Sequence, residues 1–326
     1  MDSKAKLGQN GPLINRIGYG AMVLEGYYGQ IEEEKAIETL RYALQKEMMI
    51  DTADAYGAGR NELLLAKAIS ESETKPFIAS KFGIVYEEGR EGTVINTGWG
   101  FPLTLNTSAN YMRESLDKSL ERLGVDCIDL YYAHYIDPKT PIEETVAAMA
   151  EAKKLGKINH IGLSNATADE IRRAHAVSPI AAVQYEYSMW RRQPEKDLLP
   201  TLKELGIALV SWSPLGGGFL SGEVKELDAR DFRNTNPRYS GENLNKNLDR
   251  FEPLREIAGG LGITCAQLAL SWLMHQGPQI FAIPGTRYLE RIDENLQSTD
   301  FGLGPDLLGE MDRMLTDDLA LGGTLL

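Results

Sequence analysis

The chain has 326 residues, 43% of them hydrophobic, enough for a sizeable core in one large domain or two small ones. With 34 basic and 47 acidic side chains the net charge is −13, a surface that repels nucleic-acid phosphates and anionic lipid. Cys127 and Cys265 form no Cys-x-x-Cys pair, the opening "MDSKAKLGQNG" lacks the apolar centre of a signal peptide, and no apolar run reaches the ~18 residues of a membrane span, so a cytoplasmic chain is expected.

In chain order, "KLGQNGPLINRIG" reads as strand, Gly/Asn turn, strand. "RIGYGAM" (16–22) is the first strand of the repeating pattern, and a helix follows from Glu32 with Ala36, Ile37, Leu40, Ala43 and Leu44 on one face. "MMIDTA" (48–53) precedes a helix from Asn61, read as its N-cap with Glu62 in the first turn. "FIASKFG" (77–83) leads into a long loop, 84–107, and a helix at 108–123. Strand–helix pairs then follow at 128–134 and 141–155, 160–165 and 168–176, 181–188 and 195–205. "IALVSWS" (207–213) comes before a second long loop, 218–247, and helices at 248–260 and 265–276. "IFAIPG" (280–285) precedes helices at 288–298 and 305–315.

Eight strand-then-helix units with no Pro/Ser-rich linker predict one α/β domain over 1–326, a closed (β/α)8 TIM barrel. The N-terminal hairpin is expected to plug the barrel bottom, and the long loops to lie at the opposite face.

The strand ends repeat an anomaly. They carry Asp51, Lys81, His134, Ser164 with Asn165, Gln184 and Trp212 where apolar residues are the rule. A buried charge costs several kcal/mol unless paired, but in a barrel these ends converge on the rim where active sites sit. There Lys81 can neutralise Asp51. Taken singly, each residue has a structural explanation; their recurrence on six successive strands points to a site. Tyr56, in the loop after Asp51, is protonated at neutral pH and can donate. A neighbouring ammonium is expected to lower its pKa toward the operating range and make it a general acid. His134 adds a second donor to the same oxygen, which suits the oxyanion of a reacting carbonyl.

Neither G-x-G-x-x-G, a Walker motif, H-E-x-x-H nor four-ligand zinc spacing occurs. A different anion cradle is offered by "SPLGGGFLSG" (213–222) and "IPGTRYLERIDEN" (283–295), the loops after strands seven and eight. Backbone N–H groups of the glycine run can approach a pyrophosphate, and Arg287 and Arg291 can fork a phosphate.

"IDTADAYGAGRNE", "FIASKFG", "LYYAHYIDP", "HIGLSN", "VQYEYS", "SWSPLGGGFLSG" and "IPGTRYLERIDENL", in this order from Ile17 to Leu296, resemble the aldo-keto reductases. The 84–107 segment and "HYIDP" look like the bacterial and plant branch with perakine reductase-like and pyridoxal reductase-like enzymes. The resemblance implies a tetrad of Asp51, Tyr56, Lys81 and His134, with Tyr56 as the acid. It implies that Ser164, Asn165 and Gln184 hold a nicotinamide carboxamide and that the Trp212 ring stacks on the nicotinamide. Ser213, Leu215, Gly216, Gly218 and Leu220 match the pyrophosphate loop. Gly285, Thr286, Arg287, Arg291, Glu294 and Asn295 match the adenosine and 2′-phosphate site, which suggests NADPH/NADP+ over NADH. Gly217 stands where many relatives of this branch carry arginine, and Arg287 replaces the commoner lysine.

The expected function is therefore NADPH-dependent reduction of aldehydes or ketones to alcohols by hydride transfer, a cytoplasmic oxidoreductase acting on a small-molecule carbonyl. No metal, nucleic-acid or membrane partner is expected, and the oligomeric state stays open. Pocket walls are expected from Met22, Tyr28, Trp99 and Trp190, which favour apolar or aromatic carbonyls. The alternative is a non-enzymatic, nicotinamide-binding redox-sensing subunit on the same scaffold, as in relatives that bind ion channels. A hydrolase barrel lacks the clustered carboxylate and histidine ligands it needs.

Overall fold

The computed structural model describes residues 2–224, 226–228, 231–316 and 319–325. Lys225, Ala229 and Arg230, inside the expected 218–247 loop, lie outside the described residues. An antiparallel hairpin, β1 (Lys4–Lys6) and β2 (Leu13–Asn15), comes first. It is followed by β3 (Tyr19–Gly20), α1 (Glu33–Gln45), β4 (Met49–Asp51), α2 (Arg60–Ser70) and β5 (Phe77–Phe82). A second hairpin, β6 (Thr93–Asn96) and β7 (Pro102–Leu105), interrupts the alternation. Then come α3 (Ala109–Leu123), β8 (Ile128–Ala133), α4 (Ile142–Lys154), β9 (Ile158–Ser164), α5 (Ala168–Val177) and β10 (Ile180–Glu186). The chain continues through α6 (Leu198–Leu205), β11 (Ala208–Trp212), α7 (Asn243–Leu261), α8 (Cys265–His275), β12 (Ile280–Ala282), α9 (Leu289–Gln297) and α10 (Pro305–Met314).

Strands β3, β4, β5, β8, β9, β10, β11 and β12 lie side by side and parallel in that order. The first and last meet through a bridge between Ile17 and Ala282, where Gly18 N–H donates to the Ala282 carbonyl at 2.7 Å and Ala282 N–H to the Arg16 carbonyl at 2.8 Å. This is the expected (β/α)8 barrel. Its strands are apolar on both faces because helices cover the outside and side chains fill the inside.

The N-terminal hairpin closes the bottom as expected. Leu7, fully buried, packs with Met49, Ala79, Leu130 and Phe281 inside the barrel. Gly8 has φ +69°, and a Cβ there would sit 2.5 Å from the Ala181 carbonyl oxygen, so only glycine lets the turn seat so deeply. Buried Arg16 ties the hairpin to the last unit, donating to the carbonyls of Met274 (2.7 Å), Gly277 (2.5 Å) and Ile280 (3.0 Å).

Two local expectations are corrected. The segment 84–107 is not all loop: β6 and β7 pair within it, and Leu105 of β7 bridges Ile84, two residues past the end of β5. Asn61 does not cap α2; Gly59, left-handed, holds that position. Asn61 is instead fully buried, accepting from Thr52 Oγ1 (2.7 Å) and donating to the Ala21 carbonyl (3.0 Å) and Glu25 (2.8 Å). It thereby fixes both ends of the Tyr56-bearing loop. Among the described residues no single helix is long and apolar enough to cross a membrane.

Candidate active site

A cavity of about 700 Å³ opens at the carboxyl ends of the strands. At its base four side chains from two strands and two following loops meet. Lys81 Nζ lies 2.5 Å from Asp51 Oδ1, 2.7 Å from the Thr52 carbonyl and 3.2 Å from the Tyr56 hydroxyl. An ammonium has three protons, and these three acceptors use them all. The Tyr56 oxygen therefore accepts from Lys81, leaving its own O–H to point elsewhere, and Tyr56 lines the cavity. His134, one residue past β8, meets the Tyr56 ring edge-on at 5.8 Å between centroids and stacks on Tyr135 at 5.2 Å.

Asp51 is held from a second side, by Gln184 Nε2 at 2.7 Å. Burial raises the Asp51 pKa and lowers that of Lys81, and in each case the partner's charge opposes the shift. Burial, with the Lys81 charge behind it, holds His134 well below the usual histidine range, so the imidazole is neutral. The expected lowering of the Tyr56 pKa is reversed in this structure. Burial and the Asp51 charge push the phenol well above its ordinary value, and the ammonium at 3.2 Å does not overcome them. Tyr56 is a neutral donor throughout the physiological range.

Around this centre, Asn165 Nδ2 donates to Ser164 Oγ (3.0 Å) and to the His134 carbonyl (3.2 Å), and Trp212 Nε1 donates to Asn165 Oδ1 (3.1 Å). Asn165 and Ser213 both have left-handed φ, +56° and +49°. Such strain on non-glycine residues just past the ends of β9 and β11, the strands on either side of β10, is characteristic of a binding site.

The structure brings most of the sequence-predicted residues to one groove. Asp51, Tyr56, His134, Ser164, Asn165, Gln184, Trp212, Ser213, Leu215 and Gly218 line it, as do Gly285, Thr286, Arg287, Arg291, Glu294 and Asn295 beyond them. Lys81 sits just beneath, fully buried. On the outer side Met22, Tyr28 and Trp99 line it as expected. Trp190 is a correction: it lies outside the lining, under the glycine loop, packed edge-on against Phe219 at 3.9 Å and stacked on Tyr239. Gly216 and Leu220 also face inward rather than into the groove; a Cβ on Gly216 would stand 2.8 Å from the Trp190 ring.

Sequence reasoning missed four features. Arg233 reaches the glycine loop, Nη1 donating to the Gly217 carbonyl at 2.9 Å while Asp231 grips it at 2.9 and 2.6 Å. Phe232 docks on Tyr27, and Leu325 of the C-terminal tail lines the chamber, its carbonyl taking the Gly98 N–H at 2.8 Å. Asp54 is buried with no hydrogen-bond partner on either oxygen among the described residues; burial and nearby Glu62 hold its pKa well above the carboxylate range. Only for the Phe232–Arg233 pair was a signal present: "DFRN" is an aromatic and a cation shortly after the glycine run.

A profile of the aldo/keto reductase family matches residues 16–316. "Probable aldo-keto reductase 1" of Glycine max is 40% identical over 297 residues, 89% of this chain and 82% of that protein. The glycerol dehydrogenase from Gluconobacter oxydans superposes with a TM-score of 0.83 at 25% identity, covering 97% of this chain and 96% of that one. An aldo/keto reductase from Klebsiella pneumoniae, solved with NADP and acetate, superposes with a TM-score of 0.73 at 23% identity over 96% and 95% of the two chains. The chain belongs to the aldo/keto reductase family. NAD(P)H-dependent oxidoreductase chemistry on small molecules is typical of that family. These matches carry the family and not a branch within it.

Proposed function

We propose that this protein is an NADPH-dependent reductase of aldehydes or ketones, with Tyr56 as the proton donor. The observation that carries the reading is the spent ammonium: with all three Lys81 protons engaged, the Tyr56 oxygen accepts from Lys81, its own O–H is left to donate, and Tyr56 lines the cavity. A carbonyl oxygen seated there accepts from Tyr56 and from the neutral His134, two donors where negative charge develops. Asp51 keeps Lys81 charged, and Lys81 stabilises the phenolate left after transfer.

The groove fits an extended dinucleotide. The bare backbone at Gly217 and Gly218, which line the groove, gives close approach, and Arg233 stands beside it, supplying the cation that Gly217 lacks. Ser164, Asn165 and Gln184 would hold the carboxamide. Because the Gln184 amide nitrogen is engaged by Asp51, its oxygen is left for that contact. Trp212, fixed through Asn165, would stack on the ring, while Thr286, Arg287, Arg291, Glu294 and Asn295 would hold the adenosine end. Two forked cations there favour a 2′-phosphate. NADP in the solved structure from Klebsiella pneumoniae supports the choice. Reduced nicotinamide, when bound, supplies the hydride. By the 84–107 segment and the "HYIDP" motif alone we read the chain as one of the bacterial and plant branch, and we read it as a single cytoplasmic domain.

The test is nicotinamide absorbance at 340 nm with a panel of simple aldehydes and ketones. NADPH should be consumed at least tenfold more efficiently than NADH, roughly the effect of one forked phosphate contact. Tight NADPH binding with no turnover of any carbonyl would favour the redox-sensing alternative instead.

A further inference from the structure

We infer that Phe232 is a specificity-determining residue that sorts substrates for an uncharged, planar ring; this rests on the carbonyl-reductase reading above. Phe232 is contributed by a short helical turn in the long segment after β11. It touches three rings from two other segments: Tyr27 at 5.6 Å, Trp99 at 5.9 Å and Phe101 at 5.7 Å between centroids. All three contacts are tilted, between 55° and 60°, and all four residues line the cavity that holds Tyr56. Phe232 is thus a ring at which three of the segments lining the outer chamber meet. A flat ring sliding among tilted rings gains edge and face contacts that an alkyl chain of the same reach does not.

Its position is set by neighbours rather than by chance packing. Phe232 N–H donates to the Tyr27 carbonyl at 3.0 Å, and Asp231 caps the turn by accepting from Arg233 N–H at 2.9 Å. The same turn faces two ways: Phe232 toward the chamber, Arg233 toward the glycine loop. Charge sharpens the selection. Arg233, next to this wall, and Arg287, whose charge reaches Asp231, are the cations that the proposed function assigns to the cofactor's phosphates. With cofactor bound, a carboxylate or phosphate on the substrate would enter an aromatic enclosure whose nearby cations are already engaged, which is costly.

The experiment compares wild type with Phe232→Ala and Phe232→Leu on three substrates, benzaldehyde, 4-carboxybenzaldehyde and propanal, with NADPH saturating. Wild type should prefer benzaldehyde to 4-carboxybenzaldehyde by about 30-fold in kcat/KM. In Phe232→Ala, kcat/KM for benzaldehyde should fall about 30-fold, mainly through KM, while propanal loses no more than about threefold. Phe232→Leu, which keeps apolar volume but not the flat ring, should fall between the two. Calorimetry supplies the second readout: benzyl alcohol binding to the NADP+-loaded protein should weaken in Phe232→Ala by a similar factor, with NADP+ affinity shifting less than about twofold. Equal losses for benzaldehyde and propanal, or a parallel loss of NADP+ affinity, would make Phe232 a mere support for the turn that carries Arg233 and overturn the inference. Unchanged benzyl alcohol binding would overturn it too. Should wild type reduce no carbonyl and yet lose benzyl alcohol binding on substitution, the reductase reading falls and the role of Phe232 stands.

Discussion

The floor and the top of this barrel are built on the same strands, two residues apart. At the floor Met49, Ala79, Leu130, Ala182 and Val210 meet Leu7 of the hairpin in a dry, wholly apolar layer. Two positions on, about 6.6 Å along each strand and on the same inner face, stand Asp51, Lys81, Tyr132, Gln184 and Trp212. The floor gains stability from every residue it buries. The top spends some of it, since burial works against the charge on both Asp51 and Lys81. Where a strand ends therefore decides what its residues are for: packing at the amino end, chemistry at the carboxyl end.

The sharpest way to break this contrast is Tyr56→Phe. It keeps the ring against His134 and removes only the hydroxyl. Carbonyl reduction should fall by about 10²–10⁴-fold, the usual worth of a general acid, while the NADP+ dissociation constant changes less than about twofold and the melting temperature holds. Aldehyde reduction at the wild-type rate would show the acid to be misassigned. Next in size is Lys81→Met, which leaves Asp51 buried against Gln184 alone. Urea denaturation at pH 7 should show a loss of about 3–5 kcal/mol, and adding Asp51→Leu should recover most of it without restoring activity. If the single variant unfolds at the wild-type midpoint, the top of the barrel is not the costly layer described. At the floor, Leu7→Ala should cost about 2–4 kcal/mol of stability with kcat/KM within about twofold of wild type. A large loss of activity at unchanged stability would erase the distinction between the two ends.

Much of this was legible beforehand, for a physical reason. Each barrel strand is an apolar run ending on a polar residue, and burial forbids that pattern unless the polar ends share a site, so Asp51, Lys81, His134 and Gln184 announced one another. The elements that stayed hidden are those without periodicity. Strands β6 and β7 are four residues each, with Pro102 at the start of one, too short for an alternation to show. Asn61 looked like a cap because Asn before an apolar run usually is one; only the fold shows that Thr52, Ala21 and Glu25 converge on it. Trp190 and Phe232 are both loop aromatics in the sequence. One is packed beneath the glycine loop and the other over the chamber, a difference created by contacts far along the chain. The Tyr56 pKa was expected to fall because the Lys81 charge is visible in the sequence and the extent of burial is not.

The smallest effect is read in the pH dependence of stability, through His134. In the folded protein its pKa lies well below the usual 6.5, from burial first and the Lys81 charge second. The unfolded chain has neither influence, so its His134 titrates near 6.5. As pH falls through that value the unfolded state takes up a proton that the folded state refuses. Stability is therefore fully present above about pH 7.5 and declines below it. Between pH 7.5 and 5.5 the loss from this one residue should be about 1.4 kcal/mol. His160 and His175, also held low by partial burial, push in the same direction, so wild type alone does not isolate the effect. His134→Gln does, because the other histidines are common to both proteins and cancel. Denaturant midpoints at the two pH values should show the wild type losing about 1.4 kcal/mol more than the variant. Equal losses would mean that His134 accepts a proton in the folded protein as readily as in water. The barrel top would then be wet and its electrostatics weak, and Lys81, with water to serve it, would no longer have to spend its third proton on Tyr56.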